Sequence, residues 1–251
     1  MLGLQSGAHR KAKSEGEKPF WISFSDLMSA LMVLFLVVMS VALLAVTKKV
    51  SEVDRLERQR TADITELMGV IQKVAKQFEG VRIVGTTIDF GPRGNFEREG
   101  QNQLSAPQRA LLREFTPKLI TALRSTEGGR RWFKRVVVEG YASQTGSYLF
   151  NLNLSLERSE RVLCELLRSP AGDEPLPMDD RRLIAQRFFV GGASFNSLRS
   201  NAAESRRIEF KLEFKTREEL TGEAKTPAPE ADPEQLDRSL DPNERCPIFD
   251  R

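Results

Sequence analysis

Two places in this sequence carry residues that could do chemistry. The first is Asp26, which stands at the start of an uncharged run, Leu27–Val46, of about twenty residues, near the length a helix needs to cross a bilayer. A carboxylate within such a segment costs about 2.5–3.5 kcal/mol at the membrane centre unless it is neutralised, paired or hydrated. A proton is therefore the first ligand to consider. Ser25 and Asp26 also lie where either could cap a first helical turn and face the headgroups. The segment alone leaves both readings open.

The second place is Asn151-Leu-Asn-Leu154-Ser155-Leu-Glu-Arg158, which follows a strand-like stretch ending Val138-Glu139-Gly140-Tyr141-Ala142-Ser143. On a helix, Asn151, Leu154, Ser155 and Arg158 share one face. Leu154 would anchor that face while Asn151 and Arg158 reach outward. Asparagine brings donors and an acceptor, and arginine can hold a carboxylate in a two-bond fork. The spacing suits carboxylate recognition; an ordinary amphipathic helix with a solvated arginine has the same spacing.

Other chemistry is excluded more cheaply. The single histidine, His9, precedes the apolar run, so no histidine-based triad or zinc site fits a folded domain downstream. No Gly-x-Ser-x-Gly, Walker A or Gly-x-Gly-x-x-Gly sequence occurs. Neither enzymatic activity nor a cofactor or metal is expected. A net charge of +3, without a basic stripe interleaved with aromatics, gives no argument for nucleic acid. Cys164 and Cys246 are the two cysteines; a disulfide between them is permitted in an oxidising compartment, and two free thiols are the alternative.

The elements that must position these residues follow from patterning. Residues 1–18 read as a disordered stub and 19–47 as a retained transmembrane helix, since the apolar part exceeds the h-region of a signal peptide; basic residues on both flanks leave its orientation open. Residues 48–80 read as a helical linker in which Ile64, Leu67, Ile71, Val74 and Phe78 form an a/d seam. That seam fits either a dimeric coiled coil or a helix packed on its own domain.

Residues 81–217 alternate as strand Ile83–Phe90, helix Pro107–Leu123, strand Arg135–Tyr141, helix Tyr148–Leu167, strand Arg187–Gly191 and strand Arg206–Phe214. The expected fold is a single N-terminal transmembrane helix plus an α+β domain, β-α-β-α-β-β, a mixed sheet with helices on one face. Residues 218–251 are rich in Pro, Asp and Glu and read as a disordered tail.

Two resemblances bear on these residues. The Asn-x-x-Leu-Ser-x-x-Arg spacing after Glu139-Gly140 resembles the OmpA-like peptidoglycan-binding domain. The resemblance implies that Arg158 holds the terminal carboxylate of a peptidoglycan stem peptide, with Asn151, Phe150 and Leu154 beside it. The family commonly has His-Thr-Asp after the glycine, where this chain has Tyr141-Ala142-Ser143. Ser143 then takes the place of an aspartate that holds the ligand's ammonium group.

A membrane aspartate joined to such a domain resembles the stators of the flagellar MotB type. Pro19–Met39, Trp132–Gly140, Gly146–Glu160 and Gly191–Asn196 are similar to the ZorB subunits of Zorya anti-phage systems. That resemblance implies a homodimer, its spans inside a pentameric ring of a multi-span ZorA-like partner, with Asp26 carrying protons and the domain gripping peptidoglycan. It also implies an inner-membrane chain with its N-terminus cytoplasmic and its domain periplasmic. A flagellar MotB- or TolR-type stator and a passive cell-wall tether are the alternatives.

Overall fold

The computed structural model describes residues 18–169, 174–222 and 232–249. Apart from Lys18, the N-terminal stub lies outside the described residues. The first element is α1 (Lys18–Ala75). Its apolar run, from Leu27 to Val46, is exposed, and α1 is the one described helix long and apolar enough to cross a membrane. The chain divides into two units, residues 1–56 and 57–251.

The second unit is built on a five-stranded sheet. Its strands are β1 (Arg82–Val84), β2 (Thr87–Asp89), β3 (Phe133–Gly140), β4 (Phe188–Gly192) and β5 (Ile208–Phe214), in the spatial order β1-β2-β5-β3-β4. Only β3 and β4 are parallel. Between them run α3 (Tyr148–Leu167) and α4 (Met178–Arg187), the crossover that a parallel pair requires. α2 (Ala106–Ser125) precedes β3, with Ser105 and Gln108 forming a capping box. Short helices α5 (Ala202–Ser205), α6 (Arg217–Thr221) and α7 (Pro233–Ser239) complete the set.

Strand alternation decides where the helices go. Ile88, Val136, Val138, Ile208, Phe210 and Leu212 fall on one face and are buried with residues of α2 and α3. Arg135, Glu139, Lys211 and Glu213 fall on the other, pairing as Arg135–Glu213 at 2.6 Å and Lys211–Glu139. The helix-covered face therefore holds the core. Edge-to-face aromatics tie it together in a chain, Phe78–Phe115–Phe90–Phe210–Phe188, with centroids 4.9–5.9 Å apart.

One expectation changes, one open alternative is decided and one helix is added. The strand expected over Ile83–Phe90 is a hairpin, with Val84 paired to Thr87 across Gly85, whose φ is +61°. The two strands have three residues each and are rich in β-branched residues, so with only Gly85 to mark the turn the run reads as one strand. The a/d seam is spent on the domain itself: Leu67 and Ile71 are fully buried, and Phe78 nearly so, in the same core as α2. Those positions are not available for a coiled coil. Helix α4 was missed because the residues it turns inward are largely charged: Asp180 and Arg181 are buried beside Ile184, with Leu183 partly so.

The tail also departs from the disordered segment expected over 218–251; residues 223–231 and 250–251 lie outside the described residues. Residues 232–249 lie along α3 and α4 as a strap. Arg182 forks onto Asp237 at 2.5 and 2.6 Å, and Ser169 N–H donates to Pro242 O at 2.8 Å. Arg161 donates to Ile248 O at 2.9 Å and Asn102 to Phe249 O at 2.8 Å. Cys164 and Cys246 are joined as a disulfide, Cα–Cα 5.7 Å. Polar groups and one covalent bond hold the strap, so hydropathy gave no sign of it.

A disulfide closing an 82-residue separation removes much unfolded-state entropy, typically about 2–4 kcal/mol. Cys246→Ser is expected to lower the melting temperature by several degrees and to open residues 232–249 to limited proteolysis. An unchanged melt and digest would show that the strap is held without the bond.

Candidate functional site

Asp26 lies eight residues inside α1, which begins at Lys18, so about two helical turns precede it. Neither Ser25 nor Asp26 caps the helix. The Ser25 carbonyl accepts a bond from the Ser29 hydroxyl at 2.8 Å, as in a helix interior. Asp26 is exposed, and the apolar residues that follow it leave it the one carboxylate of the run.

The second site begins with two glycines. A Cβ on Gly140, the last residue of β3, would lie 1.9 Å from Ser155 O on α3. One on Gly192, at the end of β4, would lie 2.8 Å from Ser155 Oγ and 2.9 Å from Leu156 N. Both strand ends therefore press against the same turn of α3, which only glycine permits. Ser155 uses the approach, accepting from Ser194 N at 3.0 Å and donating to Leu152 O at 2.8 Å. Gly140→Ala would force the helix off the sheet, because its contact is rigid backbone; a loss of about 1–3 kcal/mol or more is expected. Chemical denaturation checks this, and wild-type stability would contradict the packing.

Asn151, Leu154 and Arg158 share the face that this approach buries, at 2%, 2% and 0% exposure. They do not reach outward. Asn151 Nδ2 donates to Thr145 O (2.8 Å) and Ser147 O (3.2 Å), fixing the loop that enters α3. Arg158 Nε donates to Gln101 O at 2.8 Å and Nη1 to Tyr141 O at 2.6 Å. Its guanidinium lies over the Phe96 ring, 4.4 Å from the centroid. Nη2 is buried and has no hydrogen-bond partner among the described residues. Burial, and the nearby Arg206, push Arg158 down to about 9, against the opposing pull of Glu157. It remains a cation at neutral pH.

Nε and Nη1 each spend an N–H on a carbonyl, and Nη2, with both of its N–H groups, is left for an acceptor oxygen. Ser143 is buried in the same β3–α3 loop, while Phe150 stands half exposed at the first turn of α3 beside exposed Tyr148 and Leu149. Thr145 Oγ1 donates to Glu99 at 2.9 Å, linking the loops on either side.

Similarity to known proteins completes the description. Residues 6–58 match the family model described as membrane MotB of the proton-channel complex MotA/MotB. Over 219 residues the chain is 38% identical to the Zorya protein ZorB of Escherichia coli O139:H28 (strain E24377A / ETEC), covering 85% of this chain and 88% of that one. The chain belongs to the ZorB family. Solved structures similar to this ZorB-family chain include the OmpA-like domain of FopA1 from Francisella tularensis (17% identity, 54% of this chain, 82% of that one, TM-score 0.33). The periplasmic domain of Helicobacter pylori MotB is another (12% identity, 57% and 92%, TM-score 0.38). At these scores the likenesses say nothing of ligand or partner, and the strand order stands on the pairing itself.

In the ZorB-family chain, Asn151, Leu154 and Arg158 share the buried face of α3, Ser143 is buried in the loop that precedes it, and Phe150 stands half exposed at its first turn. Phe96 and the Gln101 carbonyl also belong to the site, and neither was singled out from sequence. Their partner lies more than fifty residues away, so no local spacing could signal them. Asp26 lies within the stretch that matches the MotB family model.

Proposed function

We propose that this ZorB-family chain is the peptidoglycan-anchored stator subunit of a proton-driven inner-membrane motor that acts in anti-phage defence. The observation that carries the proposal is Asp26, a lone carboxylate in the interior of a membrane-length apolar helix. Two copies would place their spans within a ring of multi-span ZorA-like partners, with the N-terminus cytoplasmic and the domain on the wall side. Apolar contact favours the neutral carboxyl, and a watered half-channel favours the carboxylate. Relative rotation of the spans would switch Asp26 between those settings. Each charge crossing yields about 2.3 kcal/mol per 100 mV.

The domain would hold the dimer still on the wall. Arg158 Nη2 would take one oxygen of a stem-peptide carboxylate, with Asn151 and Leu154 shaping the pocket behind and Phe150 at the rim. Ser143 would offer a hydroxyl, without charge, to the ligand's ammonium group. Co-purification tests the assembly. Tagged chain, expressed with its genomic neighbours, should carry down a multi-span membrane protein; recovery of a lone homodimer under the same conditions would contradict the motor reading.

A further inference from the structure

The strap and the outer face of α3, opposite Arg158, line a cavity that is open on one side. Its volume is about 630 Å³, within the range of small-molecule sites. The floor is apolar, formed by Leu156, Leu163 and Leu167 of α3 with Ile248 of the strap over them. Around the rim stand Glu157, Glu160, Asp241 and Glu244, against Arg168 and Arg245. The Cys164–Cys246 disulfide is part of the wall.

Glu157 and Glu160 project from neighbouring turns of one helix. Glu157 is held by Asn102 (2.9 Å) and Asn153 (2.7 Å). The Glu160 carboxylate has no hydrogen bond or ion pair among the described residues. Burial, and then the Glu157 charge, push its carboxyl up. An acidic rim over an apolar floor suits an apolar body that ends in a cation; a cation at Glu160 would relieve both strains on that carboxylate.

We infer that this cavity is a binding site for a small amphiphilic amine, its alkyl body on the α3 floor and its ammonium at Glu157 and Glu160, and that the disulfide keeps the site assembled. Without the strap only one open helix face remains. The site shares no side chain with the Arg158 cluster, so it stands or falls apart from wall binding.

The test uses full-length protein in lipid nanodiscs and an alkyl-diazirine ethylamine probe, photolysed and mapped by mass spectrometry. The alcohol and carboxylate bearing the same diazirine are the controls, which cancels any bias of the reactive group. The amine should label peptides of α3 and the strap at least tenfold more than either control. Glu160→Gln should lower the amine-to-alcohol ratio at least fivefold, and Cys246→Ser, with its sheet intact by circular dichroism, should remove labelling by both. Excess hexylamine should compete. Equal labelling by amine and alcohol, or labelling unchanged in Cys246→Ser, would overturn the inference. Competition by Nα-acetyl-lysine amide but not hexylamine would overturn the assignment to a small alkylamine, the site then taking a lysine side chain.

Discussion

Asp26→Asn is expected to abolish phage protection while leaving expression, membrane insertion and partner binding at wild-type levels. The substitution keeps size and hydrogen-bonding capacity but cannot gain or lose a proton near neutral pH. Because Asp26 lies about two turns inside α1, no helix start is lost with it, and the change should not destabilise the helix. Removing a charge from an apolar run should, if anything, ease insertion. A defect confined to function would therefore report the carboxyl's titration. Asp26→Glu should retain part of the activity, because it moves the carboxyl by one methylene without removing it. Plaque assays on matched expression levels check both variants; full protection by Asp26→Asn would leave a tether, not a motor.

The second large effect is expected at Arg158. Arg158→Ala removes a buried cation, strips the Gln101 and Tyr141 carbonyls of their donors and leaves space beneath Phe96. Each buried acceptor left unpaired costs about 1–3 kcal/mol, and a cavity adds to it. A total loss of about 3–5 kcal/mol is expected, so lost peptidoglycan pull-down in this variant would not by itself report a lost grip.

Two further variants separate the roles. Arg158→Lys keeps a charge but lacks the planar fork that spans two carbonyls, and should recover only part of the stability. Phe150→Ala truncates a half-exposed ring and should weaken pull-down severalfold at unchanged melting temperature. If Arg158→Ala melted as wild type does, the guanidinium would not be the internal strut described here.

The sequence made much of this domain legible. Tyr148–Leu167 coincides with α3 because Ser147 caps it and Leu154, Val162 and Leu166 mark its inward stripe. The alternation of Ile208 to Leu212 marked β5, and Glu139-Gly140 marked the end of β3, where the backbone of α3 leaves no room for a side chain. The direction of Arg158 was also readable in principle. Leu154 lies on its face, and a face that buries leucine buries what stands beside it.

What stayed hidden depends on distance or on backbone groups. The Gln101 carbonyl meets Arg158 across 57 residues, and nothing in either segment announces the other. The strap is recognised largely through its own carbonyls, at Leu240, Pro242, Ile248 and Phe249, which every residue type possesses. The hairpin hid behind a short turn between β-branched strands, and α4 behind its charges. The seam of Leu67, Ile71 and Phe78 had two physically equal uses, and the domain's own core took it.

Proton flux tests the central claim most directly. The chain and its multi-span partner, reconstituted together in potassium-loaded liposomes, can be driven by a valinomycin potential while a trapped dye reports internal pH. The account predicts acidification with the wild-type chain under conditions that activate the motor, and loss of that acidification with Asp26→Asn. Equal flux through both would contradict it.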